Sequence, residues 1–403
     1  MKFVIFILMI LNLSFGNELQ KAIDSANSGD IIELGNGLYK GSIMINKPLS
    51  IIGVGKNVVI DGGGNGSVIS VNSPYVKIQN LIIQNSGNLA TNIDSAINVK
   101  ESHNLDISSN IIRDTLFGIS FEKTNESKIY NNQISSKNVP MAVMGDSIRL
   151  WYSHSNDIYD NNISNSRDMV LWYSSGNNIL RNHGKNCRYS LHFMYSGENL
   201  VEDNIFENNI VGIFFMFSEG SIVRNNTIRN SIGSFGVGIG MKDTSDFKLY
   251  NNKVVYNARG FYLDQSPFQP GKINYYEGNE ILYNTVGIQL HATQHKSVFK
   301  NNIFKGNMEI VFNDTPESKI NLNEWNGNYF DEYDGLDLNK DGYGDIPYSH
   351  YVYADKLWQS NPNLRFFYGS SVISILNLLA KLAPFSQPEL LLTDDKPKME
   401  PVL

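Results

Sequence analysis

Three soft donors fall close together in this chain: His192, Met194 two residues on, and Met216 a further 22 residues along. Met141, Met144, His154, His183 and Cys187 lie in the flanking stretches and extend the set of candidate ligands. Thioether sulfur combined with imidazole nitrogen favours Cu(I), held transiently, over harder ions. The same region carries Arg149, Trp151, Tyr152, Trp172, Tyr173, Tyr195, Phe214 and Phe217. Such side chains suit a dry protein–protein interface, and they equally suit stacking on sugar rings, with Arg149 gripping a uronate. The interface and copper readings can both hold. Polysaccharide lyases, hydrolases and epimerases need clustered carboxylates, or a base beside a cation. The outward columns of this region offer no acid, and Asp157 and Asp160 lie outside them. The residues could bind a sugar but supply no catalytic set.

A second donor set is harder. Asp337, Asn339, Asp341, the Tyr343 carbonyl and Asp345 follow the oxygen-ligand spacing of a calcium loop, with Gly342 at the sharp turn. The twelfth position is Tyr348 rather than Glu, so the loop is no complete EF-hand. It is either a structural Ca²⁺ site or an Asp/Asn/Gly turn of similar composition.

What positions the soft donors is a repeat. GDSIRLWYS, RDMVLWYS, RYSLHFMYS, VGIFFMFSEG and VGIGMKD align on small openers at Ser147, Asp168, Ser190, Gly212 and Gly238, with steps of 21, 22, 22 and 26 residues. The frame extends back to Ala96 and Gly118 and forward to Gly260 and Gly287. A period near 22, short β-branched runs and Asn-rich turns predict an all-β fold, a right-handed parallel β-helix. Counting from each opener, the first position reads Ile97, Ile119, Ile148, Met169, Leu191, Ile213, Ile239, Phe261 and Ile288, and the third is equally apolar. By the pleat these columns face the core. The second, fourth and fifth positions face outward, which puts the soft donors and aromatics of four successive coils in one exposed patch, on the order of several hundred Å². A ladder of Asn, from Asn110 through Asn302, marks a turn position where amides stack from coil to coil. Longer steps from Gly118 to Ser147 and from Gly260 to Gly287 predict inserted loops, the former carrying Met141 and Met144.

The ends are different in kind. Residues 1–16 read as a secretory signal, with one Lys, a short apolar run and small residues at Ser14 and Gly16. Without that segment the balance is 32 basic against 40 acidic residues, with no basic stripe to suit nucleic acid. One cysteine forms no internal disulfide. Residues 17–346 then form the solenoid, opened by an amphipathic helix over Glu18–Ala26 that covers its N-terminal end; this opening resembles pectin-lyase-like β-helices. Residues 347–403 hold a short helix with Ile375 and Leu379 on its apolar face, stopped at Pro384, and an extended tail with Leu390 and Leu391. The helix either caps the solenoid or docks on a membrane-bound partner, and the leucines could anchor one.

The motifs GDSIRLWYS, RDMVLWYS, RYSLHFMYS and FFMFS, with GNYFDEYDGLDLNKDGYGDIPY and APFSQPELLLTD, resemble the NosD family along essentially the whole mature chain. The resemblance implies a periplasmic β-helix that works with an ABC transporter permease and ATPase, a lipoprotein copper chaperone and nitrous oxide reductase. It would take Cu(I) from the chaperone and act in copper-sulfide cluster assembly, at the membrane only through the permease. It implies an assembly factor that is not an enzyme in its own right, and no defined ligand set.

Overall fold

In the computed structural model, residues 4–7, 18–352, 363, 367, 370–382 and 389–401 are described. Each coil contributes three short strands, because runs of three to six β-formers alternate with residues able to turn. Stacking of coils yields three sheets of 16, 12 and 13 strands. Within the repeat every pairing is parallel, as a solenoid wound in one direction requires.

The 12-stranded sheet carries the patch. Five of its strands are labelled here: β1 (Ile148–Trp151), β2 (Asp168–Trp172), β3 (Tyr189–Met194), β4 (Val211–Met216) and β5 (Val237–Lys242). Their register is the one the openers predict: Ile148 pairs with Met169, Leu191 with Ile213 and Ile213 with Ile239. The first and third columns are buried throughout, Met169 and Met241 included. Openers are small because the corner is tight. A Cβ at Gly118 would stand 2.2 Å from the Ser147 carbonyl oxygen, and one at Gly212 would stand 2.3 Å from Ile228. Asp168 breaks this rule. It aligns with Tyr189 instead of Ser190 at a register irregularity, which takes its carboxylate out of the opener column.

The Asn ladder is a continuous chain of hydrogen bonds. From Asn110 onward, each side-chain oxygen accepts the backbone N–H and the amide of the rung before it, through Asn132, Asn161, Asn182, Asn204, Asn226, Asn252, Asn279, Asn302 and Asn328. The last acceptor is a carboxylate: Asn328 donates its N–H and its amide to Asp394, which is fully buried. Gly327 and Lys396 donate backbone N–H groups to the other oxygen.

At the N-terminal end, helix α1 (Glu18–Ser25) buries Leu19 and Ile23, as expected of a cap. Val4–Ile7 pairs with Ile31–Leu34 on the 16-stranded sheet, and residues 1–3 and 8–17 lie outside the described residues. At the other end, strand β6 (Tyr348–Val352) runs antiparallel to β7 (Glu389–Asp394), which pairs with Glu324–Asn326 through Trp325 and Asp394. Helix α2 (Ser371–Leu382) sits on the excursion between β6 and β7. Val372, Ile375, Leu376, Leu379 and Leu382 are exposed, while β7 and then β6 end the 16-stranded sheet. Leu391 is a correction: with Leu392 it joins the core and cannot anchor a partner, whereas Leu390 is exposed. Pro384 lies outside the described residues.

Candidate soft-metal site

The site begins at the corner leading into β2 and β3. Asp168 is 1% exposed. Arg188 grips both its oxygens, with Nε donating to Oδ1 at 2.9 Å and Nη2 donating to Oδ2, and the Tyr189 N–H donates to Oδ1 at 3.3 Å. Burial works to raise its pKa, but His192 and Arg188 outweigh burial and hold the carboxyl below its ordinary range. Asp146 sits beside it, with Arg167 Nε at 3.8 Å. Burial and the charge on Asp168 push the Asp146 carboxyl up to about 7, against the nearby arginines. The two acids thus titrate apart. Both stand outside the outward columns, Asp168 as the opener of its coil and Asp146 just before Ser147, so the acid-free reading of those columns did not include them. The available signal was a charged residue in an otherwise small opener column, with Arg167 and Arg188 at matching corners of successive coils.

His192 lies between this carboxylate and a thioether. Its Nδ1 is 3.5 Å from Asp168 Oδ2, and its Nε2 is 3.4 Å from Met216 Sδ. The Tyr189 ring meets the imidazole edge-on at 4.9 Å and 86°. Met194 and Met216 are in register on β3 and β4, so both sulfurs belong to one outward column. The nitrogen–sulfur separation has chemical meaning. Metal bonds of about 2.0 Å to imidazole and about 2.3 Å to sulfur at a tetrahedral angle separate the two ligand atoms by roughly 3.5 Å. Among the described residues no three of His, Cys, Asp and Glu converge on a metal position, so a site here must recruit thioethers. A donor set of one nitrogen and two sulfurs suits Cu(I).

The other candidate ligands do not join this set. Met141 and Met144 flank a short turn in the inserted loop before β1. Since β1 and β4 are three strands apart, that edge of the patch is roughly 14 Å from Met216. His154 lies at the corner beyond β1, where its Nδ1 accepts the Ser175 N–H at 3.1 Å. His183 is on the 13-stranded sheet with Nε2 3.1 Å from Glu207. Cys187 faces the core, away from the outward columns, and burial pushes its thiol up to about 12.

The aromatic patch is less open than its column pattern predicts. Val170 and His192 are buried, and Trp151, Trp172, Tyr173, Met194, Phe214, Met216 and Phe217 are half-buried, because neighbouring coils cover one another. Tyr152, Tyr173, Tyr195 and Phe217 form a single stack with ring centroids 4.8, 5.0 and 4.9 Å apart. Their faces are turned to one another and their edges to solvent. Trp151 packs edge-on against Trp172 at 5.0 Å and carries the Arg149 guanidinium over its ring at 5.0 Å. Phe214 lies over Gly240, where a Cβ would come within 2.4 Å of the ring. Beyond β4 the column passes to Lys242, and the apolar character ends.

The hard-donor loop is held by its own side chains. Asp337 accepts the N–H groups of Asp341 and Gly342, Asn339 accepts that of Asp341, Asp341 accepts that of Tyr343, and Asp345 accepts that of Leu338.

Comparison with known proteins places these observations in context. Residues 131–335 match the family model described as periplasmic copper-binding protein (NosD). A protein of Pseudomonas aeruginosa named as a probable ABC transporter binding protein NosD is 30% identical over 367 residues, covering 87% of this chain and 84% of its own length. The protein of the same name from Stutzerimonas stutzeri is 30% identical over 363 residues, covering 86% and 82%. Among solved structures, the A-module of the mannuronan C-5 epimerase AlgE6 from Azotobacter vinelandii aligns with a TM-score of 0.62 and 16% identity, over 77% of this chain and 93% of that one. Polygalacturonase from Erwinia carotovora aligns with a TM-score of 0.52 and 14% identity, over 79% and 94%. At these identities the two enzymes share the fold alone.

Proposed function

Because the chain belongs to the NosD family, we propose that it is a periplasmic assembly factor that holds Cu(I) at His192, Met194 and Met216 during nitrous oxide reductase maturation. The carrying observation is the 3.4 Å approach of His192 Nε2 to Met216 Sδ beside an in-register Met194. An export signal in residues 1–16 fits that compartment. The relatives' names make an ABC transporter the natural partner, and exposed Ile375, Leu379 and Leu390 suit contact with its permease. The half-buried rim of Arg149, Trp151 and Phe214 suits the protein that delivers or receives the ion, a lipoprotein chaperone or the reductase. Polysaccharide binding is less well supported. A sugar stacks on a ring face, and the Tyr152–Phe217 stack spends its faces internally.

The test is an anaerobic competition titration with a chromogenic Cu(I) chelator. Wild type should withdraw one Cu(I), and Met194→Leu combined with Met216→Leu should abolish competition without altering the fold, because Leu conserves volume. Equal competition by both proteins would place the copper elsewhere.

A further inference from the structure

We propose that Asp168 is a positioning residue for His192: its carboxylate keeps a proton on Nδ1 and leaves Nε2 to face the Met216 sulfur. The inference concerns the same site as the copper reading, but its test does not require copper.

His192 is 7% exposed, so the protein groups that face its two ring nitrogens decide which of them carries the proton. Nε2 faces Met216 Sδ at 3.4 Å, while Nδ1 has no closed hydrogen bond. The group nearest Nδ1 is Asp168 Oδ2, at 3.5 Å. That distance is long for a hydrogen bond, but the electrostatics decide the tautomer. A bare Nδ1 would set its lone pair against a buried carboxylate, whereas Nδ1–H sets a proton there. Asp168 is itself fixed, by Arg188 Nε at 2.9 Å and by the Tyr189 N–H, and the register irregularity at β2 brings it under the imidazole. Tyr189 blocks rotation of the ring from one side. A carboxylate behind a ligating imidazole fixes ring orientation and raises the basicity of the other nitrogen, and losing such a partner typically weakens metal binding about 10- to 100-fold.

The experiment is long-range ¹H–¹⁵N correlation NMR on the intact, metal-free chain labelled at histidine, at pH 8, with Asp168→Asn alongside. Wild-type His192 should carry a proton on Nδ1. In Asp168→Asn the new amide should donate to Nδ1 and move the proton to Nε2, with Cu(I) affinity falling about 10- to 100-fold. Asp168→Glu should restore Nδ1 protonation. A wild-type Nδ1 without a proton overturns the proposal, and that measurement decides even if the Asn variant does not fold. A protonated Nδ1 in a protein that takes up no Cu(I) would retain Asp168 as the positioning group and remove the copper reading instead.

Discussion

Replacing Asp146 with Asn gives the sharpest test of the buried acid pair. An unfolded aspartate titrates near about 3.9, whereas the native Asp146 carboxyl is pushed up to about 7 by burial and by Asp168. Between those values the native state holds a proton that the unfolded chain has lost. Stability therefore falls as pH rises from about 4 to about 7, by at most ~1.4 kcal/mol per unit. Buried acids near one another relax, so about 2–3 kcal/mol over the whole window is the expected size. Asparagine resembles the protonated carboxyl and cannot ionise. Asp146→Asn should match wild type near pH 4 and exceed it by about 2–3 kcal/mol near pH 8. Asp168 acts in the opposite sense: its lowered pKa contributes stability above about pH 4 that is lost as acid protonates it. That acid limb should survive in Asp146→Asn and shrink in Asp168→Asn. Urea midpoints of the three proteins from pH 4 to pH 8 provide the comparison. Parallel pH profiles for wild type and Asp146→Asn above pH 5 would refute the reasoning.

Three further outcomes are expected. Asp394→Ala strips the acceptor from three buried N–H donors, on Gly327 and on Asn328 (two), at roughly 1–3 kcal/mol each, and from the part-buried N–H of Lys396. Hydrogen exchange should accelerate first at the C-terminal coils, and uniform acceleration along the solenoid would contradict an end-terminated ladder. Tyr195→Ala removes the middle of the aromatic stack, where two contacts of about 0.5–1.5 kcal/mol each are lost, and should reduce near-ultraviolet dichroism without changing the far-ultraviolet spectrum. Ile375→Asp with Leu379→Asp should leave thermal stability unchanged, because both side chains are exposed, while removing co-purification with the transporter; retained association would assign the helix no docking role.

The sequence carried the coil frame because strand pleat and corner crowding act locally. Apolar first and third columns, and openers too small to strike the next coil, follow from neighbours one rung away. The Asn ladder was legible for the same reason. Asp168 was not, because a one-residue shift in pairing took it out of the column to which its spacing assigns it. Asp394 was equally hidden: it ends the ladder from 66 residues beyond Asn328, with no periodicity to announce it. Leu390 and Leu391 look alike as sequence, yet the pleat of β7 sends one to solvent and the other to the core. Cys187 looked like a ligand near the patch until the corner geometry turned it inward.

The ladder also makes the molecule a caliper. Every rung presents the same amide to the next, and Asp394 accepts from whichever rung comes last, so the number of coils can change without redesign of either end. What changes is reach. Five strand spacings separate β3 from the final strand of its sheet, roughly 24 Å along the axis. Excising one coil from that interval would bring the helix-bearing β6–β7 hairpin roughly 5 Å closer to His192 and leave the chemistry of both untouched. Shortened and lengthened variants would therefore measure how far from its C-terminal anchorage the donor set must stand to meet whatever loads it.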